Sequence, residues 1–185
     1  MPAPMKVELV PHSPEWETAA RAESANILSV LGPNLVSVHH IGSTAISGIC
    51  AKPVLDLLPE VVSLVRLDED ISQLLALGYE WWGEYGIPNR RYCTLNDATA
   101  GRRMHLHCFQ TGDPEIERLL AFRDYLRSNS AQAHEYDAEK RRCRTLHPED
   151  SHAYSDAKAD WITSRIPLAL AYHRLQMRNP ITEDG

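Results

Sequence analysis

The sequence predicts an α+β protein in which a helix precedes a β-sheet and a helical layer follows it. Three observations support this class: an amphipathic helical pattern near the N-terminus, several short apolar runs between turns, and a C-terminal half with helical spacing of apolar residues. The chain has 185 residues and shows no repeat or linker-like tract. We therefore expect one domain over residues 1–185.

The first predicted element is a helix over residues 13–31. Ser13 can cap it, Pro14 suits its first turn, and Gly32 with the proline after it ends it. Apolar residues recur on one face of this helix. We expect that face to pack on the sheet.

Short apolar runs predict the strands of the sheet. Two runs enclose a polar turn, and three more follow a helix that is predicted over residues 68–77 and ended by Gly78. The predicted strands cover Leu35–Ile41 and residues 54–58, 79–82, 91–95 and 103–109.

The C-terminal half is predicted to be helical. Apolar residues recur at helical spacing over residues 114–127, and a strongly charged helix follows over residues 132–144. A further helix over residues 151–175 has aromatic and leucine residues at heptad spacing, and Pro167 is expected to kink it.

Composition argues against several classes of protein. The formal charge of −6 disfavours a sequence-independent grip on DNA or RNA, so no polynucleotide partner is expected. No stretch approaches the roughly 20 apolar residues of a membrane helix, and the start lacks the pattern of a signal peptide, so no membrane association is expected. Four scattered cysteines indicate reduced thiols, which suits a cytoplasmic location.

The segment HHIGSTAISGICAKPVLDLLPE, residues 39–60, carries the residues that point to chemistry. Its first strand ends in Gly42 and Ser43, and its second strand carries Asp56. Glycine lets the backbone turn sharply near a ligand, and free N–H groups after it form an anion site. The hydroxyls of Ser43 and Thr44 add donors, and an acid on the next strand can hold Mg²⁺ against phosphate oxygens.

This segment resembles the GrpB family, whose members carry an H-I-G-S-T…G…A-K-P…D run. The resemblance continues over nearly the whole chain, in Arg90-Arg91-Tyr92, His105-Leu106-His107, residues 122–127, Tyr136 with Lys140, and Tyr154 with Lys158. That family is placed in the polymerase-beta-like nucleotidyltransferase superfamily. The resemblance therefore implies a nucleotidyltransferase-like mixed sheet flanked by helices, with a nucleoside triphosphate at the Gly42-Ser43 turn and a divalent metal at Asp56.

The acid-bearing strand departs from the superfamily pattern. Active members present two acids at alternate positions, so that both reach one face, but here Leu58 occupies the second position after Asp56. Glu60 lies on the same face about 13 Å farther along, at about 3.3 Å per residue. It is too far away to share a metal ion with Asp56 unless the chain bends at Pro59.

His105 and His107 can compensate for the missing acid. Residues two apart on a strand face the same side, so both imidazoles would point together. If their strand lies beside the Asp56 strand, the three side chains form a mixed metal site or an acid/base cluster. The imidazoles favour Zn²⁺ or Mn²⁺ over Mg²⁺. Asp56, His105 and His107 are therefore the candidate catalytic and metal-binding residues.

Cationic side chains are candidates for binding phosphate beside the turn at Gly42, Ser43 and Thr44; these are Lys52, Arg91 and Lys158. Guanidinium groups match phosphate oxygens in a fork, and the alternative for Arg91 is a solvated sheet edge. The alternative for Lys158 is a side chain that snorkels from its helix. For Asp56, the alternative is a structural salt bridge.

Three functions remain open. The first is a metal-dependent nucleotidyltransferase. The second is a nucleotide- or phosphate-binding module without transfer activity, which the missing second acid favours. The third is another metal-assisted reaction, such as hydrolysis or cyclisation of a small polar substrate, which the two histidines favour. The expected ligand is a small phosphorylated molecule, a nucleotide first of all, and the expected metal is Mg²⁺ or Mn²⁺, with Zn²⁺ as the alternative.

Overall fold

A five-stranded mixed β-sheet lies at the centre of the structure. The structure is a computed structural model that describes residues 3–97 and 102–178. The strands are β1 Leu35–Ile41, β2 Leu55–Val61, β3 Glu80–Trp81, β4 Arg91–Asp97 and β5 Arg102–Gln110. Their order is β1-β2-β5-β4-β3, in which β2 and β5 are parallel and all other neighbours are antiparallel. The predicted α+β class is confirmed.

Seven α-helices accompany the sheet in the described part of the chain. They are α1 Glu15–Leu31, α2 Leu64–Glu69, α3 Ile71–Ala76, α4 Pro114–Ser128, α5 Ser130–Leu146, α6 Ser151–Ala157 and α7 Ala159–Arg178. None of the helices within these described ranges combines the length and the apolar character that crossing a membrane requires.

The two faces of β2 pack against different helices, because successive side chains of a strand alternate between faces. Leu55 and Leu57 face a core that includes Ile27 of α1. Leu58 faces the opposite side, in a smaller core with Ile116 of α4. Asp56 alternates with Leu57 in the same way, so it lies on the α4 side of the sheet.

Two predicted helices differ from the structure in their extent. The helix predicted over residues 68–77 is two short helices that meet at Asp70, and it begins earlier because Ser63 caps α2 by accepting a hydrogen bond from the N–H of Arg66. The helix predicted over residues 151–175 is divided at Lys158, where a tightened last turn ends α6. Helix α7 is continuous through Pro167.

Candidate metal and phosphate site

The parallel pairing of β2 with β5 brings the candidate metal ligands together. Asp56 lies directly opposite His105 in the register of the two strands, and His107 follows two residues later on the same face. Oδ1 of Asp56 lies 3.3 Å from Nδ1 of His105 and 3.4 Å from Nε2 of His107. The condition under which these three side chains form one cluster, that the histidine strand lies beside the Asp56 strand, is therefore met.

The spacing of these three side chains fits a single divalent ion. Each offers one ligand atom, and the three atoms lie within 4.8 Å of one another. Two ligands at about 2.1 Å from one ion are about 3.0–3.4 Å apart when they subtend about 90–109°, which matches the two Asp–His distances. A set of two imidazoles and one carboxylate suits Zn²⁺ or Mn²⁺ better than Mg²⁺. Between 20% and 29% of each side chain is exposed, so an ion can reach the ligands.

The charge state of the cluster also suits metal binding. Burial opposes ionisation of Asp56, but hydrogen bonds and charges from His105 and His107 hold the pKa of Asp56 well below its usual range. Burial lowers the pKa of His107 despite its hydrogen bond with Asp56. Asp56 is thus a carboxylate and His107 a neutral imidazole near pH 7, which are the forms that bind metal ions.

A second contact fixes the tautomer of His107. Nη1 of Arg90 lies 3.4 Å from Nδ1 of His107. Because a guanidinium group only donates, Nδ1 accepts and the ring proton lies on Nε2, where it donates to Asp56. An ion bound at Nε2 would displace this proton.

The absence of a side chain at Gly42 leaves room for the carboxylate of Asp56. Its backbone angles, φ 70° and ψ −172°, lie in a region that is essentially restricted to glycine. A Cβ atom at this position would overlap Oδ2 of Asp56 and lie 3.0 Å from its Cβ and Cγ. The turn at Gly42 therefore packs its backbone directly against the candidate metal ligand.

A cavity of about 620 Å³ opens beside this cluster. Most of the predicted site residues line it, namely Ser43, Thr44, Lys52, Asp56, His105, His107 and Lys158. Ser43 and Thr44 reach the cavity from the short 3₁₀ turn Ser43–Ala45 that follows Gly42.

Side chains of α4 and α5 donate hydrogen bonds to the backbone of residues 40–50, the segment that contains the Gly42 turn. Nη1 of Arg123 donates to the carbonyl of His40 at 3.1 Å, and Nε of Arg127 donates to the carbonyl of Ala45 at 2.7 Å. These two bonds flank the Gly42 turn. Farther along, the buried ammonium group of Lys140 donates to the carbonyl of Cys50. The conformation of the loop therefore depends on side chains from the C-terminal half of the chain.

Two ammonium groups enter the cavity beside the ring of Tyr154. Nζ of Lys52 lies 5.4 Å from the ring centroid, and Nζ of Lys158 lies 4.4 Å from it. Burial lowers the pKa of both lysines, and the charge of Lys158 lowers the pKa of Lys52 further. Within residues 3–97 and 102–178 neither group has an ion pair with a carboxylate. A bound anion would offset both charges.

The structure places Arg91 away from this cavity, which contradicts its prediction as a phosphate-binding residue. Its guanidinium group donates to both carboxylate oxygens of Asp68, at 2.6 and 2.7 Å. The alternation of β4 explains the difference, because Arg91 shares the core-facing side of the strand with Cys93. Tyr92 faces the cavity, and Arg90, which precedes the strand, also lines it.

The strand does not bend at Pro59 to bring Glu60 to the metal ligands. β2 continues through this proline to Val61. The carboxylate of Glu60 accepts a hydrogen bond from Ser37 at 3.3 Å and lies 3.8 Å from Nε2 of His39. Leu58, at the position of the missing second acid, is completely buried. The cluster therefore has a single carboxylate.

Sequence reasoning missed an aromatic wall of the cavity, which consists of Tyr85 and Tyr92. Their rings stack with centroids 5.0 Å apart and planes inclined by 16°. The nearby indole of Trp82 donates its N–H to the hydroxyl of Thr94 at 2.9 Å. The signal for Tyr85 was its place between two glycines in a turn-rich segment.

The chain is similar to known proteins in sequence and in fold. The family model described as GrpB protein matches residues 6–166. This chain belongs to the GrpB family. The UPF0157 protein YqkA from Bacillus subtilis (strain 168) is 38% identical to it over 157 residues, which are 85% of this chain and 45% of YqkA. This GrpB chain thus spans less than half the length of that relative.

Solved structures support the same conclusion for the fold. The crystal structure of the conserved protein GrpB from Enterococcus faecalis has a TM-score of 0.83 at 32% identity, covering 90% of this chain and 99% of the other. The Cid1 poly(U) polymerase, described as bound to Mg and 3′-dATP, has a TM-score of 0.51 at 14% identity, covering 80% of this chain and 49% of the other. The predicted nucleotidyltransferase-like fold of this GrpB protein is confirmed.

Proposed function

We propose that this protein is a metal-dependent enzyme that acts on a small phosphorylated substrate, with nucleotidyl transfer from a nucleoside triphosphate as its reaction. The observation that carries the proposal is the meeting of two sets of groups in one cavity. One set is the cluster of Asp56, His105 and His107, and the other is the ammonium pair of Lys52 and Lys158. Neither ammonium group forms a salt bridge with a carboxylate among the described residues, although the charge of Asp56 favours the protonated form of both. A metal site beside two such cations suits a metal–phosphate ligand.

The residues around the cavity divide into two roles. Asp56, His105 and His107 fit a divalent ion, which when bound would polarise a phosphate oxygen as a Lewis acid. Lys52 and Lys158 would neutralise the remaining phosphate charge, because their own repulsion is relieved when an anion lies between them. Both roles amount to positioning and charge neutralisation, which are the main contributions of a protein to phosphoryl chemistry.

The Gly42 turn contributes donors to the same ligand. Ser43 and Thr44 line the cavity at the start of the 3₁₀ turn, where the first N–H groups have no partner within the turn itself. Such N–H groups and the hydroxyl of Ser43 suit phosphate oxygens. The fold shared with Cid1, whose described ligands are Mg and 3′-dATP, makes a nucleoside triphosphate the first substrate to test.

One observation favours a second candidate function. Leu58 is buried with Ile41, Phe109 and Ile116, so the position of a second acid is part of the core rather than the site. A single ion with imidazole ligands is also suited to hydrolysis of a phosphate ester or anhydride, because it can activate water. Product analysis separates the two reactions: transfer releases pyrophosphate, whereas hydrolysis with loss of the terminal group releases inorganic phosphate.

The test combines metal binding, nucleotide binding and product analysis. Isothermal titration of Mn²⁺ or Zn²⁺ and then of ATP, GTP, CTP and UTP should show metal-dependent nucleotide binding. Replacement Asp56→Asn should weaken metal binding at least about 10-fold, since it changes a ligand rather than the second shell. His134→Ala is the matched control, because His134 is exposed on α5. If none of the nucleotides binds with either metal, the proposal is wrong.

A further inference from the structure

The aromatic wall of Tyr85 and Tyr92 lies directly beside the metal cluster. Both residues line the cavity. The ring of Tyr92 is 5.6 Å from His105 and 5.2 Å from His107, centroid to centroid. The ring of Tyr85 stacks on the ring of Tyr92, with the two centroids 5.0 Å apart. A ligand whose phosphate reaches the metal ligands therefore has an aromatic surface within a few ångströms of it.

The loop that presents Tyr85 has an unusual backbone. Tyr85 has a φ of 45° and Asn89 a φ of 61°, and a bulky residue such as tyrosine rarely adopts the left-handed region. This conformation costs free energy, so surrounding contacts must impose it. Strain of this kind, at a residue that lines a cavity, points to a role in binding.

Arg90 supplies the contacts that impose this conformation. Its guanidinium group donates to the carbonyl of Glu84 at 3.2 Å and to the carbonyl of Tyr85 at 2.6 Å. The group also lies 4.7 Å from the ring centroid of Tyr92, and the residue is only 6% exposed. Its donors are thus directed to the loop and to His107. Arg90 positions the aromatic wall rather than binding phosphate.

The other tyrosines of the cavity are already engaged. Three tyrosines line it among the described residues. The ring of Tyr154 has the two ammonium groups of Lys52 and Lys158 over it, and Tyr92 is only 7% exposed beneath its neighbour. The ring of Tyr85 also lies 6.4 Å from the ring of Trp82 and 5.8 Å from the guanidinium carbon of Arg90. Of these three tyrosines, however, Tyr85 is the one that is partly exposed, so it is the one that a ligand can reach.

We propose that Tyr85, supported by Tyr92, stacks on the aromatic base of the substrate, so that this site selects nucleotides over sugar phosphates and inorganic polyphosphates. This inference rests on the proposed function, which places phosphates beside Lys52 and Lys158. A flat aromatic ring accepts any base face, so the wall recognises the presence of a base rather than its identity. Base and phosphate would then lie on adjacent walls of one cavity.

The test compares ATP with inorganic tripolyphosphate, which carries the same number of phosphates without a base. Isothermal titration in the presence of Mn²⁺ should show that the wild-type protein binds ATP about 5- to 150-fold more tightly than tripolyphosphate, the range expected from stacking one base. Tyr85→Leu should abolish this difference by weakening ATP alone. Tyr85→Phe should retain it. Lys158→Gln should weaken both ligands together.

The outcomes separate this inference from the proposed function. Equal affinity of the wild-type protein for the two ligands would overturn the stacking role and leave the phosphate site in place. A Tyr85→Leu protein that loses both ligands equally would likewise overturn it. Binding of neither ligand by the wild-type protein would overturn the proposed function and this inference with it. The wild-type comparison needs no variant, so a misfolded variant does not obscure the result.

Discussion

Replacement of Gly42 by alanine should weaken both the fold and the metal site. The backbone angles of Gly42 are essentially restricted to glycine, and imposing them on alanine costs about 1–3 kcal/mol. For a chain of this length each kcal/mol lowers the melting temperature by about 2–4 °C, which gives a loss of about 2–12 °C. The added methyl group would also overlap Oδ2 of Asp56, so the carboxylate must move. We expect metal affinity to fall about 10- to 100-fold.

A second glycine allows the two effects to be separated. Gly112 also has a positive φ, 87°, but a Cβ there meets no atom within 4 Å. Gly112→Ala should therefore lower the melting temperature without changing the affinity for Mn²⁺ or Zn²⁺. Calorimetric unfolding and isothermal titration of both variants measure the two quantities. If Gly42→Ala binds metal as tightly as Gly112→Ala, the reasoning that the turn orients Asp56 is refuted.

Three further predictions concern other residues. Burial lowers the pKa of Lys140 to about 8 from 10.5. Between pH 8 and pH 10.5, Lys140 is therefore protonated more often in the unfolded chain than in the folded protein. The stability of the wild-type protein relative to Lys140→Met should therefore rise with pH through this window in urea unfolding. Leu58→Ala should lower the free energy of unfolding by about 2–5 kcal/mol in the same assay, but leave metal affinity unchanged. Arg91→Met should leave ATP affinity unchanged in titrations, whereas Arg90→Met should lower it because the aromatic wall loses its support.

Each of these predictions has an opposing result. A stability difference that is constant or falls with pH would show that Lys140 does not titrate as expected. Loss of metal binding by a folded Leu58→Ala protein would place Leu58 in the site. A larger loss of ATP affinity from Arg91→Met than from Arg90→Met would restore Arg91 as the phosphate ligand.

Local sequence patterns predicted the parts of the site that depend on one segment at a time. The turn at Gly42, the strand that carries Asp56, and the shared face of His105 and His107 each follow from turn chemistry or strand alternation. The pairing that places Asp56 opposite His105 does not follow from them, because parallel register depends on contacts between distant segments. From the sequence, the adjacency of these two strands is therefore only a condition for the site, and the structure meets that condition.

The errors have equally local causes. The pattern at residues 90–92 did not show where β4 begins, and a shift of one residue exchanges the faces of Arg90, Arg91 and Tyr92. Heptad spacing continued across Lys158 because the residues on both sides are apolar at helical intervals, so the break in the helix left no sign in the pattern. The left-handed backbone at Tyr85 is imposed by Arg90, a contact that composition cannot reveal.

The hydrogen bonds from α4 and α5 to the segment around Gly42 affect the order in which the site forms during synthesis of the chain. When synthesis has reached the end of β5, the chain already contains the three candidate metal ligands. It does not yet contain Arg123, Arg127 and Lys158. The loop at that stage has no helix to hold it, and the cavity lacks one of its two ammonium groups. The lining of the cavity is therefore completed last, with the final helices, although the residues of the Gly42 turn and of β2 are made early.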